Sequence, residues 1–273
     1  MATASTVSLE IMQILELTAP FLTPRHVALP ARDAFGVPHG SLYAPLRDAA
    51  DISWATRASF NAIKFRRTHQ ALSLNEMRPL FAFAFNPYVI DIRDQYPVYD
   101  QEAYNRAKRR GKRMPISAVQ TYDIVLTLVL PPDNRLHYHG VSIKDARDQL
   151  TEQDWKRQER ERAQFAERGW TWELLRGDQF SKLMWGNHAL MRTWIVNIDV
   201  WEAYDEAFQL AERVRTRSQN GTLDSILTRH ARCLRMPVNR AFELFAIANC
   251  FGFLRLDPSQ PLRVDHPLHL LDA

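Results

Sequence analysis

Cysteine is nearly absent from this chain of 273 residues: Cys233 and Cys250 are the two it has. They stand in apolar, helical surroundings without metal-ligand spacing. That excludes a disulfide framework and a cysteine-based zinc site, and the pair reads as buried free thiols in a reducing compartment. No stretch reaches the ~18 apolar residues of a membrane span. The N-terminus lacks a basic leader, and Glu10 and Glu16 interrupt its apolar residues, so it does not read as a secretory signal. Internal repeats and low-complexity tracts are missing as well. The expectation is a soluble, cytoplasmic protein with no membrane partner.

What is present bounds the answer further. An apolar share of 46% fills the core of one large domain or two smaller ones. The formal charge of +4 is modest, yet the pI is about 9.2 and the basic residues cluster. Clustered positive charge in a soluble chain favours a polyanionic partner.

Residues 1–20 carry an apolar pattern predicting a short helix ended by Pro20, either a docking arm or a cap. Residues 20–53, rich in proline and glycine, predict an irregular surface connector. Phe60, Ile63 and Phe65 suggest a short strand decorated by Arg66 and Arg67, which either touch phosphates or form a solvated face. Ser73 to Phe85 reads as a helix. Ser73 and Glu76 have capping-box spacing, and Pro79 predicts a kink or a later start. Tyr88 to Ile92 is the next strand. Between 101 and 115 follow Arg106, Lys108, Arg109, Arg110, Lys112 and Arg113 against the single acid Glu102. This run is either a clamp for the DNA backbone or a solvated charge run.

The stretch from Thr121 to Lys144 organises the chain. TYDIVLTLVL is a buried strand, PPDNR turns, and LHYHGVSIK returns, so the whole is a hairpin. Asp123 opens the first strand and Lys144 closes the second, which brings acid and base to one end of the sheet. His137 and His139 share one strand face and read as sheet residues, with a DNA-facing role as the alternative; nothing completes a zinc site with them. Thr151, with Asp154 at N3 and Leu150 and Trp155 as a staple, starts a helix that Gly169 ends. Trp170 to Leu175 is another strand. Beyond 178 the chain is helical. Helices over 223–236 and from Pro237 to Cys250, then two short strands (FLRLD and PLRVD), read as a winged helix with Arg232, Arg235 and Arg240 as its basic candidates. The predicted fold class is therefore α/β: a mixed sheet flanked by helices, of restriction-endonuclease-like type, followed by a helical and winged-helix C-terminal domain. The predicted boundaries are 1–58 for the extension and connector, 59–183 for the sheet domain and 184–273 for the tail.

An acid, a hairpin and a lysine suit phosphodiester cleavage. Mg²⁺ held by carboxylates neutralises charge, and a lysine orients the attacking water and stabilises the phosphorane. In the restriction-enzyme pattern the set is Glu76, Asp123, the backbone carbonyl of Ile143, and Lys144. Ser142 stands where that pattern often has an acid; as a neutral hydroxyl it would reach the metal only through water.

The region from Leu72 to about Ala189 resembles the nuclease domain of TnsA, the endonuclease subunit of heteromeric transposases. The likeness runs in order through LSLNE (72–76), VIDIRDQYPV (89–98), GKRMP (111–115), TYDIV (121–125), SIK (142–144), the charged helix and the strand at Trp170. The resemblance implies that Glu76 and Asp123 are catalytic, metal-binding acids and Lys144 the catalytic lysine, with Ser142 where the family often has Gln. It makes Arg93 and Gln95 site-supporting or DNA-facing; a structural role is the alternative. It implies Mg²⁺-dependent cleavage of the 5′ strands at transposon ends, with Mn²⁺ able to substitute. The implied partners are double-stranded DNA, a TnsB-like DDE transposase and a TnsC-like ATP-dependent regulator, on the bacterial nucleoid. Two rival readings stand beside it: a stand-alone restriction or repair nuclease, and a lapsed site in a DNA-binding assembly subunit.

Overall fold

A computed structural model describes residues 12–17, 20–51, 56–99, 101–114, 119–217 and 220–271. Among these the element order is β1 (Ala58–Asn61), β2 (Thr68–Ala71), α1 (Leu74–Ala84), β3 (Val89–Tyr99), α2 (Gln101–Arg109), β4 (Val119–Leu130), β5 (Arg135–Lys144), α3 (Glu152–Glu167), β6 (Thr171–Arg176), α4 (Lys182–Ile195), α5 (Tyr204–Thr216), α6 (Leu223–Leu234) and α7 (Val238–Cys250). No helix among the described residues is long and apolar enough to cross a membrane.

The architecture is mixed α/β. A four-stranded mixed sheet of order β3-β4-β5-β6 is antiparallel except for the parallel β5/β6 pair, and β1 and β2 form a separate two-stranded ribbon. One apolar cluster gathers Ile124, Leu126 and Leu128 of β4, Leu80 and Phe83 of α1, and Leu210, Leu244 and Phe245 of α5 and α7, so it spans the expected 183/184 boundary. A second cluster on the opposite side packs Val125, Tyr122 and Tyr96 against Phe165 and Trp170. Gly140 sets how closely α3 approaches. A Cβ there would sit 2.2 Å from the Phe165 ring, so only glycine lets the helix lie this near β5.

Local signals are honoured where chemistry is local. The Thr151–Asp154 capping box is present. At the other end of α3, Gly169 takes φ +69°, with Gly169 N–H on Ala166 O and Trp170 N–H on Phe165 O, the two bonds of a Schellman motif.

Several expectations are corrected. The predicted helix over 1–20 falls partly outside the described residues; within them only a 3-10 turn, Ile14–Glu16, is found. Phe60 lies in β1, but Ile63 and Phe65 belong to the loop of the β1–β2 ribbon. α1 starts at Leu74, before Pro79 and not after it, because Pro79, Leu80 and Phe83 are buried together and packing outweighs the lost backbone bond. β3 continues to Tyr99 instead of ending at Ile92, and β4 begins at Val119, so Asp123 lies inside the strand. Trp155 is 56% exposed rather than a staple, and Cys233 is exposed. The expected C-terminal hairpin does not form, since its backbone groups go elsewhere. Leu271 N–H donates to Arg255 O and Asp257 N–H to His269 O, while Leu223 and Asp224 N–H donate to His266 O and Val264 O. Thus FLRLD meets the chain end, and PLRVD meets the start of α6.

The connector over 20–51 is irregular as expected, but it is not draped loosely over the surface. Asp33 is fully buried, its Oδ2 taking Arg93 Nη1 and the Tyr96 hydroxyl, both at 2.6 Å. Its Oδ1 accepts from the amides of Phe35 and Val37. Burial pushes the Asp33 carboxyl up, but Tyr96 and Arg93 outweigh it and hold the group below the usual range. Gly40 N–H donates to Asp91, Tyr43 OH to Asp94 O, and Leu46 N–H to Gln95 O. These contacts make residues 33–46 a strap along β3, the edge strand of the sheet. Asp33→Ala, which strands the Arg93 charge in the interior, is expected to cost about 3–5 kcal/mol in urea unfolding. A loss below about 1 kcal/mol would show that the strap does not fold with the sheet.

Candidate active site

The β4–β5 ladder stops at Ile124↔Val141. Beyond it β4 stays with β3 through Tyr96↔Tyr122 to Tyr99↔Val119, while β5 stays with β6 through Ser142↔Leu174 to Lys144↔Arg176. The sheet therefore splits between Asp123 and Ser142. Across the split Ile143 N–H donates to Asp123 Oδ2 at 2.8 Å.

Glu76, in the first turn of α1, does not close a capping box on Ser73. Ser73 caps the helix through its hydroxyl, which accepts from Glu76 N–H. The Glu76 carboxylate takes Leu72 N–H at 3.1 Å and Gln95 Nε2 at 3.2 Å on Oε2, and the Ser73 hydroxyl at 3.3 Å on Oε1. Burial, reinforced by the Asp123 charge, pushes its pKa up to about 7. The Asp123 carboxyl is raised by burial too, with Ile143 N–H and Arg157 opposing and Glu161 adding to the rise. Both carboxyls are raised chiefly because burial disfavours the charged form.

α3 contributes buried polar groups to the same place. Glu161 is 5% exposed; it accepts from the Ser142 hydroxyl at 2.7 Å and from Arg157 Nε at 2.7 Å. Lys144 Nζ pairs with Asp154 Oδ1 at 3.0 Å, and the Thr151 hydroxyl and amide together with Lys144 hold Asp154 well below the usual carboxylate range. Four carboxylates (Glu76, Asp123, Asp154, Glu161) thus meet two cations (Lys144, Arg157). A sequence signal for Glu161 existed: Gln158, Glu161 and Phe165, at i, i+3 and i+7, form the buried stripe of α3.

No protein-family model and no curated protein matches this chain.

Glu76, Asp123 and the Ile143 carbonyl would offer a cation two carboxylates and one carbonyl. Mg²⁺ fits this set, because this ion keeps several waters and takes only one or two carboxylates. A denser cage is not found: among the described residues no three His, Cys, Asp or Glu groups cluster to hold a metal. Ser142 is not a free donor, since its hydroxyl lies between Glu161 and Trp172 Nε1.

The expected DNA contacts divide by burial. Arg93 is fully buried with Asp33, between the Tyr96 and Tyr138 rings. The Arg67 side chain is 5% exposed and is spent on Asp91 Oδ1 and the carbonyls of Gly40 and Ile92. Gln95 is 2% exposed. These three are interior groups, because a guanidinium or amide leaves water only for internal partners, and their reading as DNA-facing is corrected. Arg66 is exposed, 3.9 Å from Asp199. Lys108 and Arg109 on α2, and Arg110, Lys112 and Arg113 after it, are exposed. α2 leaves from the end of β3 and its loop leads to β4, so the basic run stands at the sheet end that carries Asp123. His137 and His139 share the Thr171 hydroxyl, and His139 also meets Glu173. Burial and the neighbouring His139 hold the His137 pKa near 4, and neither ring faces outward.

The raised Glu76 pKa makes a signed expectation. Between its ordinary 4.5 and about 7, the folded state holds a proton that the unfolded chain has released, so metal-free stability falls as pH rises through that window. Thermal midpoints in EDTA should drop more steeply for wild type than for Glu76→Gln, and a divalent cation should restore the wild-type loss at alkaline pH. Parallel slopes for the two proteins would show that the Glu76 pKa is not raised by folding.

Proposed function

We propose that this chain is a metal-dependent DNA endonuclease that cuts the 5′ strands at transposon ends, working with a DDE-type transposase and an ATP-dependent regulator. The observation that carries the reading is the split of the sheet at Asp123, with Ile143 bonded across it and Glu76 coupled to it from α1. The order α1-β3-β4-β5-α3-β6, with α2 inserted, supports a restriction-endonuclease-like core. The ordered likeness to TnsA supplies the biological role, and the C-terminal helices α4–α7 are the candidate surface for the regulator.

In this reading Glu76, Asp123 and the Ile143 carbonyl hold the cation. When bound, Mg²⁺ supplies charge neutralisation and an activated water. Lys144 brings a positive charge to the phosphorane oxygens, with Asp154 fixing its ammonium in the free protein. Glu161 takes the place of the acid that Ser142 lacks: it reaches the site from α3 and is oriented by Arg157. The exposed basic run around α2 holds the DNA backbone.

The test is strand-resolved cleavage of labelled transposon-end duplex with Mg²⁺ or Mn²⁺, with and without the neighbouring transposase and regulator. Wild type should nick the 5′ strand only with its partners. Asp123→Ala and Lys144→Ala should each lose about 100-fold or more, with unchanged folding. Undiminished cutting by Asp123→Ala would sink the site. Partner-independent cutting would make the chain a stand-alone nuclease, and normal assembly without any cutting would make it a subunit with a lapsed site. Glu161→Gln is expected to lower cleavage by about 10-fold or more; wild-type rates in that variant would return Glu161 to a purely structural role.

A further inference from the structure

Three non-glycine residues among those described have a left-handed backbone: Gln95 at φ +51°, Asn134 at +55° and Arg235 at +56°. Asn134 lies in the β4–β5 turn and Arg235 caps α6, where this conformation is ordinary. Gln95 lies inside β3, where it is not. A strained residue persists only if its surroundings over-determine it.

The strap does this. Leu46 N–H donates to Gln95 O at 3.3 Å, and Tyr43 OH donates to the carbonyl of Asp94 at 2.7 Å. On either side of Gln95, Arg93 and Tyr96 both reach Asp33. Residues three apart in a regular strand point to opposite faces, so the alternation of β3 reverses at Gln95. The partner strand follows: Val125 and Tyr122, also three apart, share the same cluster as Tyr96. The reversal falls where Asp94↔Ile124 and Tyr96↔Tyr122 place Gln95 across from Asp123.

This conformation gives the side chain one bond, from Nε2 to Glu76 Oε2 at 3.2 Å. An amide suits that place. A lysine or arginine would neutralise the acids and compete with a cation, and a carboxylate would add a further negative charge. A neutral donor holds one oxygen and leaves the charge of the pair intact. The opposite oxygen, Oε1, accepts among the described residues from the Ser73 hydroxyl alone.

We infer that Gln95 is a positioning residue for the metal-binding acids: the strap forces β3 to reverse so that a neutral amide fixes Glu76 through Oε2 and leaves Oε1 to the cation. The inference rests on the nuclease reading of Glu76 and Asp123. It also gives the strap, through Asp33, Tyr43 and Leu46, a role in the site.

Gln95→Gly tests it on the full chain, because glycine adopts the left-handed backbone freely and loses the amide alone. The readouts are Mn²⁺ affinity by titration calorimetry or electron paramagnetic resonance, thermal midpoint, and 5′-strand cleavage. Mn²⁺ affinity should fall about 10-fold or more and cleavage with it, the cleavage recovering in part at higher Mn²⁺. Gln95→Asn keeps the amide and tolerates the backbone but is one methylene shorter; it should show the same loss. If wild type binds Mn²⁺, Asp123→Ala does not, and Gln95→Gly binds as wild type, the positioning role is wrong and the metal site stands. A change in thermal midpoint at unaltered Mn²⁺ affinity would likewise reduce Gln95 to a structural residue. Failure of wild type itself to bind Mn²⁺ would overturn the nuclease reading and this inference together.

Discussion

A guanidinium with no exposed surface needs a carboxylate, and Arg93 finds one in Asp33, sixty residues away in sequence. Such a pair adds little net stability, because desolvation of both charges offsets most of their attraction; what it adds is specificity, since neither partner can be left alone. The pair joins an irregular segment to the edge strand of the sheet. Tyr96 shares Asp33 with Arg93, the alternation of β3 reverses between them, and Gln95 is set against Glu76. A line of single contacts thus runs from the strap to the acids at the split of the sheet.

The electrostatics of that split follow from topology. β4 and β5 pair from Ile124↔Val141 to Leu130↔Arg135 and then part, β4 staying with β3 and β5 with β6. The divergence uncovers the ends of two strands, and α1 and α3 bring further acids to it. Close approach of α3 depends on Gly140, and with it the placement of Glu161 against Ser142. Excess negative charge in a partly buried place is costly unless something positive arrives, and here Lys144 and Arg157 offset only part of it.

Much of the site was legible in the linear chain. Asp123, Ile143 and Lys144 come together because a hairpin returns the chain to its starting end, a local property of TYDIVLTLVL-PPDNR-LHYHGVSIK, whereas Glu76 is brought to them by the packing of α1. Helix caps were legible for the same reason: Thr151 with Asp154, and Gly169, act on amides within a few residues. Glu161 was harder to see, because on a helix dense in charge its neighbours Arg160 and Arg162 conceal the buried stripe of Gln158, Glu161 and Phe165. The alternating segments FLRLD and PLRVD suggested a wing, yet alternation states only that one side is apolar. Their amides and carbonyls were claimed instead by the chain end and the start of α6.

The sequence by itself determined that α1, the β4–β5 hairpin, α3 and β6 form, where α3 starts and stops, and that an acid and a lysine meet at one end of a hairpin. These outcomes follow from interactions spanning a few residues or one turn. Only the tertiary structure decided that Arg67, Arg93 and Gln95 face inward while the α2 basic run faces solvent, that Glu161 joins the acids, and that the connector over 33–46 is a strap. The side of a charged residue that meets water depends on partners tens of residues away. No local pattern encodes that Asp33 will reach Arg93, or that β4 and β5 will part at Asp123.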